Sequence, residues 1–152
     1  MTPNPTVDLH VRHMAILPHA KIELTFLSRN EGGRMAVPPA ESLRSLKYRP
    51  HIVIGDPGAR EKREAVLENI QVIHESDGQY LGVAFSDADR EPIPNEKLQC
   101  EVAYMYYPNV TYQNAVKGAR FTLREGARIV GFGEIIDVFD KEAANNTESK
   151  SV

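Results

Sequence analysis

Hydrophobic and polar residues alternate along much of this chain, most sharply toward its C-terminal end. From Ala119 to Arg124 the apolar Phe121 and Leu123 alternate with Arg120, Thr122 and Arg124, the period-two pattern of a strand with one buried face. Glu125-Gly126-Ala127 reads as a three-residue connection, and apolar residues resume at Ile129, Val130, Phe132, Ile135, Ile136, Val138 and Phe139. Gly131 and Gly133 interrupt this second strand, and glycine inside a strand marks a bulge, a barrel corner or the close approach of another backbone. The pattern over Gly118–Phe139 therefore predicts a strongly bent hairpin, which suits a closed barrel.

The remaining chain repeats the theme. Lys21–Leu27 is a strand with Ile22, Leu24 and Phe26 on one face, and Ser28–Arg34, with its paired glycines, is turn chemistry. Met35–Lys47 contains Pro38-Pro39 and predicts one turn of helix beginning near Pro39. His51–Ile54 reads as a short buried strand stopped by Gly55-Asp56-Pro57-Gly58. Residues 59–74 suit helix by their charged start and strand by Val66, Ile70, Val72 and Ile73; the β-rich surroundings favour strand. Tyr80–Phe85 is a strand and Ser86–Asn95 a polar loop. Lys97–Tyr106 is a core strand, with Leu98, Cys100, Val102 and Tyr104 set against Gln99, Glu101, Ala103 and Met105. Residues 1–17 form an added strand or a loose arm, and Lys141–Val152 is apolar-poor, as a disordered tail is. About six closely spaced strands predict a small all-β barrel or sandwich, a single domain over residues 18–140.

Length and charge narrow the functional classes. The chain has 152 residues, enough for one domain with a genuine core. Its formal net charge of −3 gives no global field for nucleic acid, so RNA binding requires a local basic patch. The single cysteine excludes an intrachain disulfide, no apolar run approaches membrane-span length, and MTPNPTVDLHVRH lacks a signal peptide's apolar core. A cytoplasmic protein is the expectation.

No catalytic constellation stands out. His10 and His13 have metal-like spacing but no helical frame or further ligand; Cys100, on a core-facing strand position, reads as a packed thiol; Asp87, Asp89 and Glu91 read as a solvated turn rather than a calcium loop. Gly32-Gly33-Arg34 lacks the lysine and hydroxyl of a phosphate-binding loop, and Gly131-Phe132-Gly133 lies within a strand. The informative cluster is basic. Arg120 and Arg124 share a face of the first hairpin strand, and a three-residue loop places Arg128 opposite Arg124. Like charges directly across a ladder cost up to about 1 kcal/mol. Either Glu125, Glu134 or Glu101 offsets that cost on a solvated surface, or the arginines meet phosphate or an acidic partner.

FTLREGARIVGFGEII resembles the closing hairpin of the third domain of bacterial elongation factor Tu, and Leu27–Arg34 (LSRNEGGR) followed by Tyr48-Arg49-Pro50 is similar in type and order to that domain's opening strands. The resemblance covers roughly residues 18–139 and implies a closed antiparallel barrel, catalytically inert, that helps hold the T-stem backbone of aminoacyl-tRNA and meets the GTPase domain and the exchange factor. Arg34 and Glu125-Gly126 stand where that family places backbone-contacting positions. Met35 replaces a histidine, His51 replaces a glutamine after Tyr-Arg-Pro, Tyr107 stands where a basic residue can occur, Ala127 replaces a glycine, and the Met35–Lys47 loop is longer.

The expectation is thus a non-enzymatic binding module without a GTPase domain, metal or nucleotide cofactor. It would contact tRNA, another structured RNA or a translation-associated protein through Arg34, Arg49, His51, Arg120, Arg124, Glu125, Gly126 and Arg128. The alternative is a decoy or immunity-type factor that copies the elongation-factor barrel to occupy a toxin-like protein.

Overall fold

A computed structural model describes residues 14–55, 69 and 79–144. Among them run six strands: β1 (Met14–Phe26), β2 (His51–Gly55), β3 (Leu81–Ala88), β4 (Lys97–Tyr104), β5 (Arg120–Glu125) and β6 (Arg128–Ala144). A 3-10 turn at Arg29–Glu31 and a single helical turn, α1 (Ala40–Leu43), interrupt the β structure. All strand pairs are antiparallel in the order β1-β4-β3-β2-β5-β6, and β6 pairs back with β1, so the sheet closes into a ring. This is the all-β closed architecture that the alternation predicts.

The inward-facing positions supply the core. Ile22, Leu24 and Phe26 of β1, Leu98, Cys100, Val102 and Tyr104 of β4, Val83 and Phe85 of β3, and Phe121 and Leu123 of β5 are buried together. Each large aliphatic or aromatic side chain taken fully out of water contributes about 1.5–3 kcal/mol. The helical turn begins just after its N-cap, Pro39, near where it is expected, and buries Ala40 and Leu43 against the barrel. The glycines of β6 answer a close approach. A Cβ on Gly133 would lie 2.3 Å from the Glu23 carbonyl oxygen, and one on Gly131 would lie 2.7 Å from that of Thr25.

The β5–β6 hairpin departs from its expected register. β5 ends at Glu125 and β6 begins at Arg128, so the connection is the two-residue Gly126-Ala127 turn, with Gly126 at φ +62°. That turn sets Glu125 opposite Arg128 and Arg124 opposite Ile129, and a bulge then shifts the register between Leu123 and Arg124, so that Leu123 stands opposite Gly131. The predicted Arg124–Arg128 opposition does not exist, because the turn is one residue shorter than expected.

Strand ends differ in a similar way. β1 begins at Met14 and β6 continues to Ala144 because the two pair along that length, Met14 opposite Ala144. β4 stops at Tyr104. The readings of residues 1–13, of 145–152 and of most of 59–74 concern positions outside the described residues; within 59–74 only Asn69 is described, and its backbone is helical.

Candidate anion-binding site at the hairpin turn

The loop after β1, the segment before β2 and the β5–β6 turn gather at one end of the ring. Local chemistry fixes the first of them. The Glu31 carboxylate accepts hydrogen bonds from the Ser28 backbone N–H (3.0 Å) and hydroxyl (2.9 Å), and Gly32 turns the chain at φ +91°. Gly33 presses on the backbone it has just left, since a Cβ there would lie 2.4 Å from the Leu27 carbonyl oxygen. The Leu27 N–H donates to the Val130 carbonyl (2.9 Å), and Leu27 packs with Ile129 and Phe132 in a small apolar cluster beneath the loop. Asn69 grips the same strand from the side, its amide donating to the Ile129 carbonyl (2.8 Å) and its oxygen accepting from the Ile129 N–H (3.1 Å).

These contacts bring the two sequence blocks together. Arg128 donates to the Gly32 carbonyl at 2.7 Å. Arg34 Nε meets Glu125 Oε2 at 2.6 Å, and Arg34 Nη1 donates to the Ala36 carbonyl at 2.7 Å. The Tyr48 hydroxyl donates to the same Glu125 Oε2 at 2.6 Å, while its ring lies 5.6 Å beneath the Arg34 guanidinium carbon, within cation–π range. Burial first, then the hydrogen bond to Glu125 and its charge, raise the Tyr48 hydroxyl above the ordinary phenol range. It therefore remains a donor.

The result is an open groove of about 600 Å³ lined by Arg29, Arg34 and Arg128, with the exposed Met35 beside them and Glu125 as the one carboxylate among the described residues of its lining. Among the described residues of the lining, three guanidiniums stand against one carboxylate, in a chain of net charge −3. Two of the three are tethered by named acceptors, which sets their orientation; planar forks held in this way suit phosphate and carboxylate oxygens.

Of the predicted site residues, Arg34, Glu125 and Arg128 meet here, with Gly126 shaping the turn. Arg124 does not. It is only 1% exposed, its Nε donates to Thr122 Oγ1 at 2.9 Å, and its guanidinium lies 5.7 Å from the Tyr80 ring centre. His51 is opposite Arg124 in the ladder and packs edge-on against Tyr80 at 5.8 Å, half-buried. Arg120 sits at the far end of β5, opposite Glu134, and lines a separate 160 Å³ pocket with Glu23 and Lys97. Arg49 is exposed and donates to the Leu46 carbonyl at 2.8 Å. Arg29 and Tyr48 are the members that sequence reading missed. Arg29 lies within the glycine-turn block and Tyr48 opens the Tyr-Arg-Pro block, so both were on view without a reason to single them out.

A second pocket, of about 590 Å³, is lined by Asp87, Asp89, Glu101 and Lys21, with Cys100 at its wall. Burial, reinforced by the charges of Asp89 and Asp87, pushes the Cys100 thiol up to about 12. A thiol held protonated in this way is a poor nucleophile, in keeping with packing rather than chemistry. Asp89 accepts from the Gln99 backbone N–H at 3.2 Å and Glu91 from that of Ala40 at 3.0 Å, so these carboxylates brace backbone in different directions. Among the described residues no group of three or more His, Cys, Asp or Glu side chains is arranged to hold a metal ion, and no helix is long and apolar enough to cross a membrane. His10 and His13 lie outside the described residues.

No protein-family model matches this chain, and no curated protein matches it.

Proposed function

We propose that this chain is a non-catalytic binding module, built like the third domain of elongation factor Tu, that grips the phosphate backbone of a structured, tRNA-like RNA at its hairpin turn. One observation carries the reading: Arg29, Arg34 and Arg128 line one open groove in which, among the described residues, Glu125 is the single carboxylate. Two of these positions, Arg34 and Arg128, come from sequence blocks far apart in the chain, and Arg34 and Glu125-Gly126 stand where the resemblance places backbone-contacting positions. A groove of fixed guanidiniums serves as a backbone-positioning surface rather than a reader of base sequence.

Binding through it releases counterions, so log K should fall with log salt by about 0.9 for each phosphate neutralised on a duplex. The test is fluorescence anisotropy with labelled tRNA at two salt concentrations, for the wild type and Arg128→Glu. The reading expects tight, salt-sensitive binding that the substitution weakens. Wild-type protein that leaves tRNA unbound at low salt would refute it, and a stoichiometric, nuclease-insensitive protein partner captured in its place would point to the decoy role.

A further inference from the structure

Glu125 is an oddity in a groove for anions, because its charge opposes the ligand. Its contacts suggest why it is there. One oxygen, Oε2, takes both Arg34 Nε and the Tyr48 hydroxyl at 2.6 Å. The Arg34 side chain is thereby held on three sides: Glu125 at Nε, the Ala36 carbonyl at Nη1, and the Tyr48 ring beneath the guanidinium. Tyr48 is itself anchored, its ring packed against Phe85 (5.2 Å between centres) and Phe26 (6.3 Å) of the core. The chain of contacts thus runs from the barrel interior, through a phenol fixed as a donor, to a carboxylate and then to an arginine at the groove.

We propose that Tyr48 is a positioning residue: acting through Glu125, it presets the Arg34 fork so that its remaining N–H donors face the groove before any anion arrives. This role rests on the anion-binding reading of the same groove. The physical basis is ordinary preorganisation. An arginine loses much rotamer freedom when immobilised, and a side chain already held in its binding geometry loses less on association. The Arg34–Glu125 pair is about one-third exposed on each side, and a partly exposed ion pair adds only about 1 kcal/mol or less to folding stability, so the arrangement is better explained by orientation than by stabilisation.

The discriminating experiment is a double-mutant cycle on tRNA affinity, with Tyr48→Phe and Arg34→Ala singly and together. Tyr48→Phe keeps the ring and its packing and removes only the hydroxyl. The proposal expects it to weaken binding about 5- to 10-fold in the wild-type background, and by less than about twofold once Arg34 is alanine. Equal losses in both backgrounds would mean a direct or purely structural role for Tyr48, and unchanged affinity in the single variant would mean no role; either result overturns the proposal. The wild-type arm is read first. If tRNA stays unbound at low salt the groove reading itself fails and takes this role with it, whereas wild-type binding with an unaffected Tyr48→Phe variant removes the positioning role alone.

Discussion

Two open pockets of nearly equal size mark this barrel with opposite charge. The groove at the hairpin turn, about 600 Å³, is rimmed by Arg29, Arg34 and Arg128; the pocket at β4, about 590 Å³, is walled by Asp87, Asp89 and Glu101 with Lys21 as its cation. Their polar groups also differ in use. In the acidic pocket Asp89 accepts from the backbone at Gln99, and Glu101 takes Ser86 and Lys141 at 2.7 and 2.6 Å, so its charges are largely engaged in holding the barrel. In the groove the Glu125 carboxylate and the Ala36 and Gly32 carbonyls instead orient Arg34 and Arg128. Pocket size therefore says little about ligand class; the direction in which fixed donors point says more.

The largest expected effect separates a groove arginine from a buried one. Arg124→Glu should cost about 3–5 kcal/mol of folding stability, because it reverses a charge buried against Thr122 and Tyr80; denaturant melts check this, and a variant as stable as wild type would place Arg124 in solvent. Next, Arg29→Glu should leave the melting curve nearly unchanged while weakening tRNA binding about tenfold and lowering the salt slope by about 1, read by anisotropy. Asp87→Asn with Asp89→Asn should change tRNA affinity by no more than about twofold, since separated surface charges are screened at physiological salt; a large gain would show that the two pockets share a ligand.

The smallest effect concerns acid stability. Burial opposes ionisation of Glu101, but the hydrogen bonds from Lys141 and Ser86 and the nearby positive charges outweigh it, holding the carboxyl below its ordinary value of 4.5. A depressed folded-state value means the stabilisation is complete above the unfolded-state value and is lost as pH falls through the folded one. Glu101→Gln should flatten that acid limb without touching tRNA binding.

The closed β fold was legible because core positions follow the alternation: Leu98, Cys100, Val102 and Tyr104 are buried as their spacing requires, although Ala103 between the last two is buried as well. The Gly131 and Gly133 signal also held, through the close approach of β1. The site was half legible. Arg34, Glu125 and Arg128 sit in glycine-turn blocks whose local geometry brings them together. The cross-strand partner of Arg124 was misread because a turn shorter by one residue moves every facing pair next to it, and the alternation pattern does not encode turn length. Burial of Thr122 and Arg124 on the face away from Phe121 and Leu123 was equally invisible, for a strand with polar residues on one face reads as solvated there. Tyr48 escaped notice because its role depends on meeting Glu125, far along the chain.

The account's central claim is that the groove guanidiniums, and not the hairpin as a whole, meet the anion. The most direct measurement follows the arginine Nε–H NMR signals during a tRNA titration. The account predicts saturable shifts for Arg29, Arg34 and Arg128, with Arg124 and Arg120 left in place; shifts centred on Arg120 and Lys97, or none at the groove, would contradict it.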